Sequence, residues 1–477
     1  MTDNDLCGMS ATELLPRLKS GEIKSATLMR AVLDRVNRLD GKTNGITHVD
    51  PDLAMAEAEA RDAALSAGEA PSALHGIPVS VKDLLKVKGL PIEMASYAFE
   101  GEIADDDAAG IARLRRAGAI PFAKSATPEF GHKVLTDSPI NGVSRNPWDP
   151  SRSCGGSSGG TGIATSMGFG PIHVSTDGAG SGRIPASACG VAGLKPTWSA
   201  IPHETTPDIF GSLTVIGVMA RTVPDLVLGF NAMKGPDRRD PMSLGSRADP
   251  VRLPADPRSA LKGLRVRVVM RTVNDWLDPE VEAAVLEAAG LLKDSGVRDV
   301  GLIDNPVHDI NNALIFMRGY QYARFGHLVK THGEKLDRTA KMSLSANPSL
   351  TYESLAMSMR ARTDIFHEIE RQFDGADIYI TPTVTTPSLA ADQKQDDPLI
   401  VDGVDHGPLR EAWYPYTVPQ NVSGHPAISV PVGMSSKGIP IGMQIVGPWH
   451  SEERLLTIAA AIEAMLPWAG RWPPLAH

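Results

Sequence analysis

A glycine-rich run between residues 154 and 162 is the first segment whose composition points to chemistry. Five of the nine residues in Cys154–Gly162 are glycine, so the backbone must turn tightly or approach another group closely. A phosphate-binding loop would need lysine where Thr161 stands. A nucleophile elbow centred on Ser157 or Ser158 would need a preceding strand, which the sequence does not predict, and an acid partner for the available base His425. A flexible linker is the third interpretation, and the small apolar helix predicted after the run argues against it.

A second run of small residues lies between a predicted strand and a predicted helix. It places Ser181 directly after Gly178, Ala179 and Gly180, whose side chains are too small to cover their backbone N–H groups. Several N–H donors aimed at one point beside a helix N-terminus make an oxyanion hole, because that end of a helix favours negative charge. From this segment alone, an ordinary strand-to-helix turn explains the glycines equally well.

A lysine on a predicted strand is a candidate base. Residues 77–82 alternate with a period of two, which is typical of a strand, and Lys82 lies on the side opposite the valines. Lys82 precedes Ser157 by 75 residues, and Ser157 precedes Ser181 by 24. The three residues therefore come from three separate segments that a fold must bring together.

These three segments, taken together, resemble the amidase signature family. The segments are Gly76–Asp83, the glycine-rich run and Thr176–Arg183, and their spacing is similar to the family's. Four later segments agree with the family pattern: Cys189–Thr197, Met219–Val223, Pro426–Pro431 and Pro440–Gln444. The resemblance extends from about Thr12 to the final predicted helix, which is nearly the whole chain.

The resemblance implies a catalytic triad in which Ser181 is the nucleophile, Ser157 the bridging serine and Lys82 the base. A serine hydroxyl attacks well only when another group takes its proton, and lysine can do so only when it is neutral. Free lysine has a pKa of about 10.4, and burial in a site poor in carboxylates lowers that pKa. The family pattern also implies a cis peptide bond between Gly156 and Ser157, and we expect a structural hydrogen bond from Ser158.

The resemblance likewise implies how the loop around the nucleophile works. The N–H groups of residues 178–181 are the expected oxyanion donors, and Asp177 and Arg183 are expected to pair and to rigidify the loop. The chain departs from the usual pattern at Ala179, where glycine is common, and at Gly182, where a large aliphatic residue is common. These departures leave the backbone donors intact and make room beside the nucleophile, which predicts an unusual substrate pocket.

Four residues from loops that usually frame the site are candidate pocket residues: Gly131, His132, Ile209 and Phe210. The least family-like segment covers about residues 305–365 and contains several aromatic and methionine side chains. Such side chains form either an adaptable apolar lid over the site or additional core.

The elements that must position these residues alternate along most of the chain. Capped helices are predicted in the first 66 residues. Apolar strands are predicted around residues 77–82, 119–124, 172–176, 264–270, 378–380 and 427–432, with helical segments between them. This order predicts an α/β fold with helices on both faces of the sheet, and the resemblance implies a single large domain with a mixed, twisted β-sheet. We expect an N-terminal helical layer over residues 1–66 and the amidase signature domain over residues 67–477, with the variable insertion at 305–365.

Composition argues against several classes of partner. The 477 residues carry 47 lysines and arginines against 56 aspartates and glutamates, with a net charge of −9, so nucleic acid and anionic membranes are poor partners. No apolar stretch reaches the length of a membrane span, the N-terminus lacks a signal-peptide pattern, and three cysteines suit a reducing compartment. We therefore expect a cytoplasmic protein. The 13 histidines form no metal-ligand motif, so neither a metal nor another cofactor is expected.

The resemblance implies an amidase that hydrolyses a C–N amide bond of a small molecule through an acyl-enzyme. Two alternatives stay open. The same triad can act on carbamates (urethanes) or esters, or the chain can be the glutaminase-type subunit of a tRNA-dependent amidotransferase, which needs a partner. For a hydrolase acting alone we expect a monomer or a homodimer.

Overall fold

The strands gather into one large sheet and two small hairpins. The computed structural model describes residues 2–206, 208–211, 213–303, 308–345 and 350–477. In chain order the strands are β1 (Ile46–Val49), β2 (Pro78–Lys82), β3 (Ile120–Ser125), β4 (Asp137–Ser138), β5 (Gly142–Val143), β6 (Ile172–Asp177), β7 (Ala192–Lys195), β8 (Val215–Ala220), β9 (Arg265–Val269), β10 (Asp299–Ile303), β11 (Ile378–Pro382), β12 (Pro398–Val401), β13 (Val404–Pro408), β14 (Ala427–Met434) and β15 (Pro440–Val446).

The large sheet is mixed, with the order β1-β3-β2-β6-β8-β7-β14-β15-β11-β9-β10. Strand β2 is parallel to both β3 and β6, whereas β6 is antiparallel to β8. Farther along, β14 is antiparallel to β7 and β15, and β9 is parallel to β10 and β11. Strands β2, β6 and β8 are buried along their whole length, so both faces of the sheet are covered. The predicted α/β class and mixed sheet are confirmed.

Helices flank the sheet throughout the chain. They are α1 (Asp3–Gly8), α2 (Ala11–Ser20), α3 (Ser25–Leu39), α4 (Pro51–Ser66), α5 (Ala109–Arg116), α6 (Gly159–Ser166), α7 (Arg183–Cys189), α8 (Val223–Met233), α9 (Pro279–Asp294), α10 (Ile310–Ala313), α11 (Ile315–Phe325), α12 (Leu328–His332), α13 (Arg338–Leu344), α14 (Tyr352–Gln372), α15 (Leu409–Ala412), α16 (Val418–Ser423) and α17 (Glu452–Met465). Within the described residues, none of them has both the length and the apolar character that a bilayer crossing requires.

The first 66 residues are not wholly helical. A capping box starts α2 as predicted, since the Ser10 hydroxyl accepts a hydrogen bond from the N–H of Glu13 at 3.2 Å. Between α3 and α4, however, β1 joins the large sheet by antiparallel pairing with β3. A four-residue strand is too short to give a clear period-two pattern, which is why the sequence did not predict it. This N-terminal segment therefore supplies an edge strand as well as helices.

The segment predicted as an insertion is helical where it is described, from α10 to most of α14. Residues 304–307 and 346–349 lie outside the described residues. Phe316 is buried in a core cluster, and Met317 and Tyr320 pack against that cluster. Met342 and Met357 are exposed instead. Phe316 and Tyr320 of α11 thus pack inward, whereas Tyr322 of the same helix is exposed, as are the methionines on α13 and α14.

The functional loops leave the sheet at one edge. Parallel neighbours β2 and β6 end there, at Lys82 and Asp177, and helices α6 and α7 begin in the loops beside them. The glycine-rich run must pack closely here. A Cβ on Gly160 would lie 2.2 Å from the backbone nitrogen of Ala126 and 2.2 Å from the carbonyl oxygen of Gly45. The glycines therefore allow close backbone packing rather than flexibility.

Candidate active site

Lys82 ends β2 with a fully buried side chain. Its Nζ donates hydrogen bonds to Ser157 Oγ at 2.7 Å and to Thr176 Oγ1 at 2.9 Å. Thr176 comes close because β2 and β6 are parallel neighbours in the sheet. In the described structure, the hydrogen-bond partners of this amine are thus two hydroxyls.

The environment of Lys82 favours the neutral amine. Burial lowers the pKa of Lys82 well below its ordinary value, and the negative charge of Asp177 opposes this shift only in part. The carboxylate of the adjacent residue Asp83 forms its ion pair with another buried lysine, Lys124, whose Nζ lies 3.4 Å away, and not with Lys82. A neutral amine in this position can accept a proton from the hydroxyl it contacts.

Ser157 and Ser181 line the same cavity and are nearly buried, with 2% and 6% of their surface exposed. The backbone N–H of Ser158 donates to the carbonyl oxygen of Ser181 at 3.1 Å, which ties the two loops together. The peptide bond between Gly156 and Ser157 is cis, so that expectation is confirmed. The structure therefore brings the three predicted residues Lys82, Ser157 and Ser181 to one place.

The turn between β6 and α7 brings three of the four residues expected to donate to an oxyanion to the cavity, and the fourth needs a correction. Gly178, Ala179 and Ser181 line the cavity. The N–H of Gly180 instead donates to Asp177 Oδ1 at 2.8 Å, so it is not available to an oxyanion. A carboxylate beneath the turn takes this donor because its own burial requires hydrogen bonds.

Asp177 and Arg183 form a fully buried ion pair at the turn that carries Ser181. Arg183 Nε lies 2.9 Å from Asp177 Oδ2, and Arg183 Nη2 lies 2.9 Å from Oδ1, which is a bidentate arrangement. Burial alone would raise the pKa of Asp177, but the guanidinium charge and its hydrogen bonds hold that pKa well below its usual range. The carboxylate also accepts the N–H of Gly182 at 3.0 Å, so the pair fixes both ends of the turn.

Ser158 has a different environment from its neighbour Ser157. Its hydroxyl is fully buried and donates to the carbonyl oxygen of Thr176 at 2.9 Å. This is the structural hydrogen bond expected for Ser158. The hydroxyl is directed to the backbone of β6, and Ser158 is not among the residues that line the cavity.

The cavity above the serines has two arms that share walls from Leu84, Phe130, Thr176, Thr214 and Met317. One arm contains Ser157 and Ser181, the predicted catalytic serines, and we call it the catalytic arm; polar and apolar groups line it about equally. The side arm is mainly apolar and extends beneath α11, and its other walls include Met94, His203, Leu213, Phe316, Tyr320 and Phe325. Burial lowers the pKa of His203 to about 3, so this imidazole is neutral.

The four predicted pocket residues divide into two pairs. Gly131 and His132 line the catalytic arm. Ile209 and Phe210 are not among the residues that line either arm, and Phe210 is 66% exposed. Both lie in a surface turn, and their sequence neighbours Asp208 and Leu213 line the side arm instead.

Sequence reasoning missed many of the residues that line the site, and three of them bear on its chemistry. Thr176 lies inside a recognised segment, and the strand register could have indicated its contact with Lys82. Arg318 on α11 and Arg410 on α15 also line the catalytic arm. No sequence signal identifies these arginines, since each lies on a helix far along the chain from the serines.

The chain is similar to known proteins over nearly its whole length. The amidase family model matches residues 27–456. The chain is 32% identical to an acylamidase of Rhodococcus erythropolis, over 99% of this chain and 98% of the relative. It is also 31% identical to a glutamyl-tRNA(Gln) amidotransferase subunit of Acidothermus cellulolyticus, over 97% and 95% of the two chains.

Solved structures show the same fold over nearly the whole chain. A bacterial aryl acylamidase of the amidase signature family superimposes with a TM-score of 0.85 at 25% identity, covering 97% of this chain and 99% of that one. The 6-aminohexanoate cyclic dimer hydrolase superimposes with a TM-score of 0.85 at 30% identity, covering 99% of both chains. The protein therefore belongs to the amidase signature family of hydrolases.

Proposed function

We propose that this protein hydrolyses a C–N amide bond of a small molecule, with Ser181 as nucleophile, Ser157 as proton relay and Lys82 as base. One observation carries the proposal. The buried amine of Lys82 lies 2.7 Å from the hydroxyl of Ser157, in a cavity that also holds the hydroxyl of Ser181. A base, a relay and a nucleophile are the minimum that acyl transfer to serine requires.

The proposed reaction has two halves. In the first, Ser181 Oγ attacks the carbonyl carbon while its proton passes through Ser157 to Lys82, and the oxyanion is held by the N–H groups of Gly178, Ala179 and Ser181. The C–N bond then breaks, and the departing amine takes the proton from Lys82 through the same relay. In the second half, water attacks the acyl carbon with the triad again as base, and the acid leaves with Ser181 restored.

The side arm supports an aryl or alkyl substituent on the substrate. Three phenylalanines wall it, and Phe130 and Phe325 stack with their ring centroids 4.4 Å apart. An apolar arm of this kind stabilises an apolar group by burial. It does not stabilise the short polar side chain of glutamine in this way. Similarity to the acylamidase and the aryl acylamidase supports the same preference.

A panel of matched substrates tests the proposal. Purified protein is assayed with a 4-nitroanilide, a 4-nitrophenyl ester and an aryl carbamate that share one acyl group, and with glutamine. We expect release of 4-nitroaniline by the wild type and its loss in Ser181→Ala. A preference for the carbamate or the ester would assign one of those substrate classes to the same triad, and hydrolysis of glutamine alone would overturn the proposal in favour of an amidotransferase component.

Covalent labelling distinguishes the serines. We expect phenylmethylsulfonyl fluoride to modify Ser181 in the wild type, as located by peptide mass spectrometry, and to do so in Ser158→Ala as well. Modification of Ser158 in place of Ser181 would contradict the assignment of the nucleophile.

A further inference from the structure

Two arginines line the catalytic arm together with Ser181. Arg318 comes from α11 and Arg410 from α15, so two separate helices bring positive charge to one cavity. The triad chemistry described above uses neither of them. The triad chemistry therefore does not explain why two arginines line this cavity.

The other charges along this arm are already balanced. Lys133 Nζ lies 2.8 Å from a carboxylate oxygen of Asp137 and 2.7 Å from one of Asp337, and His132 lies 3.2 Å from Asp337. By contrast, the described structure contains no ion pair of Arg318 or Arg410, and none of the residues described as lining the arm is an aspartate or a glutamate. The arm thus holds two arginines that have no carboxylate partner among the described residues, Arg410 half-buried and Arg318 exposed.

The contacts of Arg410 leave hydrogen-bonding capacity unused. Its Nη1 donates to the neutral Asn311 amide oxygen at 2.6 Å, and its Nε is buried without a hydrogen-bond partner among the described residues. The nearby carboxylate of Glu411 contacts Asn311 instead. Burial lowers the pKa of Arg318, and the positive charge of Arg410 lowers it further, as expected for two neighbouring guanidiniums. A buried donor without a partner is costly unless a ligand satisfies it.

We propose that Arg318 and Arg410 bind a carboxylate of the substrate, so that the preferred substrates are amides that carry both an apolar group and, away from the scissile bond, a carboxylate group. The proposal rests on the proposed amide hydrolysis and specifies its substrate class. Planar guanidinium groups match the two oxygens of a carboxylate, and charge-assisted hydrogen bonds of this kind are about twice as strong as neutral ones. The apolar side arm would then hold the uncharged part of the same substrate.

Paired substrates that differ only in charge test this assignment. One pair is succinyl 4-nitroanilide and its terminal carboxamide, with the charge on the acyl side. The other is N-butyryl-4-aminobenzoate and the corresponding benzamide, with the charge on the amine side. We expect kcat/KM of the wild type to be about tenfold higher for the carboxylate member of at least one pair, mainly through KM.

Variants connect that preference to the two arginines. The double variant Arg318→Gln/Arg410→Gln is expected to reduce the carboxylate-to-carboxamide ratio of kcat/KM to about one, whereas Arg318→Lys, which keeps the charge, retains part of it. Arg360→Gln is the matched control, because Arg360 is an exposed arginine that does not line this cavity, and it keeps the full ratio. Should the double variant not fold, the salt dependence of the wild-type enzyme tests the proposal instead. The carboxylate-to-carboxamide ratio of kcat/KM falls with added NaCl if attraction between opposite charges causes it, and a ratio that does not change with salt contradicts the proposal.

The two proposals fail in different ways. Equal hydrolysis of both members of both pairs, or a ratio unchanged in the folded double variant, overturns carboxylate binding and leaves amide hydrolysis standing. Absence of turnover for all four compounds overturns the proposed amide hydrolysis and the inference that rests on it.

Discussion

At the residue scale, the proposed chemistry depends on a lysine amine that is buried away from water. Lys82 contacts two hydroxyls, and burial lowers its pKa well below the ordinary value. A base with a depressed pKa binds fewer protons in the folded state than in the unfolded state. It therefore destabilises the fold at neutral pH, and that effect fades as the pH rises toward the unfolded pKa of about 10.4.

Replacing Lys82 by methionine tests both its proposed role as base and its cost to stability. We expect Lys82→Met to lower kcat/KM by about 10² to 10⁴, because the general base is lost. We also expect the variant to be more stable than the wild type at pH 7, because the buried amine that destabilises the fold is gone. This gain in the free energy of unfolding should be smaller at pH 10. Urea unfolding at the two pH values, together with anilide hydrolysis at pH 7, measures both. Undiminished turnover in the variant would remove the basis of the proposed mechanism.

The two adjacent serines make a second comparison at the residue scale. Ser157→Ala is expected to lower kcat strongly, because it removes the hydroxyl between Lys82 and the cavity. Ser158→Ala is expected to lower the free energy of unfolding by about 1–3 kcal/mol, because it removes a buried hydrogen bond to the Thr176 carbonyl. Thermal unfolding and turnover of the two variants distinguish the catalytic role of Ser157 from the structural role of Ser158. Loss of turnover in Ser158→Ala with little change in Ser157→Ala would contradict this assignment.

At the scale of the elements, the turn between β6 and α7 depends on a glycine. Gly180 has a φ of 112°, and a Cβ there would lie 2.2 Å from Thr417 Oγ1. That hydroxyl donates to the carbonyl oxygen of Ala179 at 2.9 Å, so the contact holds the turn in place. Any side chain at position 180 must therefore displace the Thr417 hydroxyl that supports this turn.

Alanine at position 180 tests the turn against a matched control. We expect Gly180→Ala to destabilise the protein by at least about 1 kcal/mol and to lower kcat, because both φ and the contact with Thr417 oppose it. Gly290→Ala on α9 meets no atom within 4 Å, and we expect it to stabilise the protein by up to about 1 kcal/mol. Chemical denaturation of both variants gives the comparison, and equal effects would contradict the constraint on the turn.

Prediction of the elements succeeded for some of the strands with a clear apolar pattern, whereas β8 and β15 were not predicted although both are mostly apolar and buried. Strands β2, β3 and β6 follow clear runs of alternating or continuous apolar residues, and each lies within a residue or two of its predicted bounds. Strands β1 and β7 did not give such a signal, since each has only four residues and β7 reads Ala-Gly-Leu-Lys. Their conformation is set by pairing with β3 in one case and with β8 and β14 in the other. Tertiary contacts override weak local preferences in such segments.

At the scale of the whole molecule, the ion pair of Asp177 and Arg183 joins distant parts of the chain. Beyond Asp177, Arg183 donates to the Thr417 carbonyl oxygen at 2.8 Å, to Asn421 at 2.5 Å and to Gln444 at 2.5 Å. One guanidinium therefore connects β6 and α7 with α16 and β15. The site is held by contacts between segments that lie more than 200 residues apart.

Removing this guanidinium should affect stability in a pH-dependent way. We expect Arg183→Met to lower the free energy of unfolding at pH 7 by about 3–5 kcal/mol, because it leaves the buried Asp177 carboxylate uncompensated. Burial would then raise the pKa of Asp177 above its unfolded value, so the loss of stability becomes smaller as the pH falls through that raised pKa. Urea unfolding at pH 7 and pH 5 measures the change, and a loss that stays constant with pH would contradict this account. Arg360→Met, at an exposed position, is the control.

The sequence by itself determined the family, the α/β class and the three residues proposed as the triad, because those depend on local patterns and on fixed spacing along the chain. Only the tertiary structure decided that the Gly180 donor is already engaged, that Phe210 lies at the surface, and that Arg318 and Arg410 share a cavity with Ser181. These properties arise from contacts between elements that are far apart in sequence. Residue type and spacing do not predict which distant helix covers the end of a strand. The shape and charge of the substrate cavity are therefore visible only in the tertiary structure.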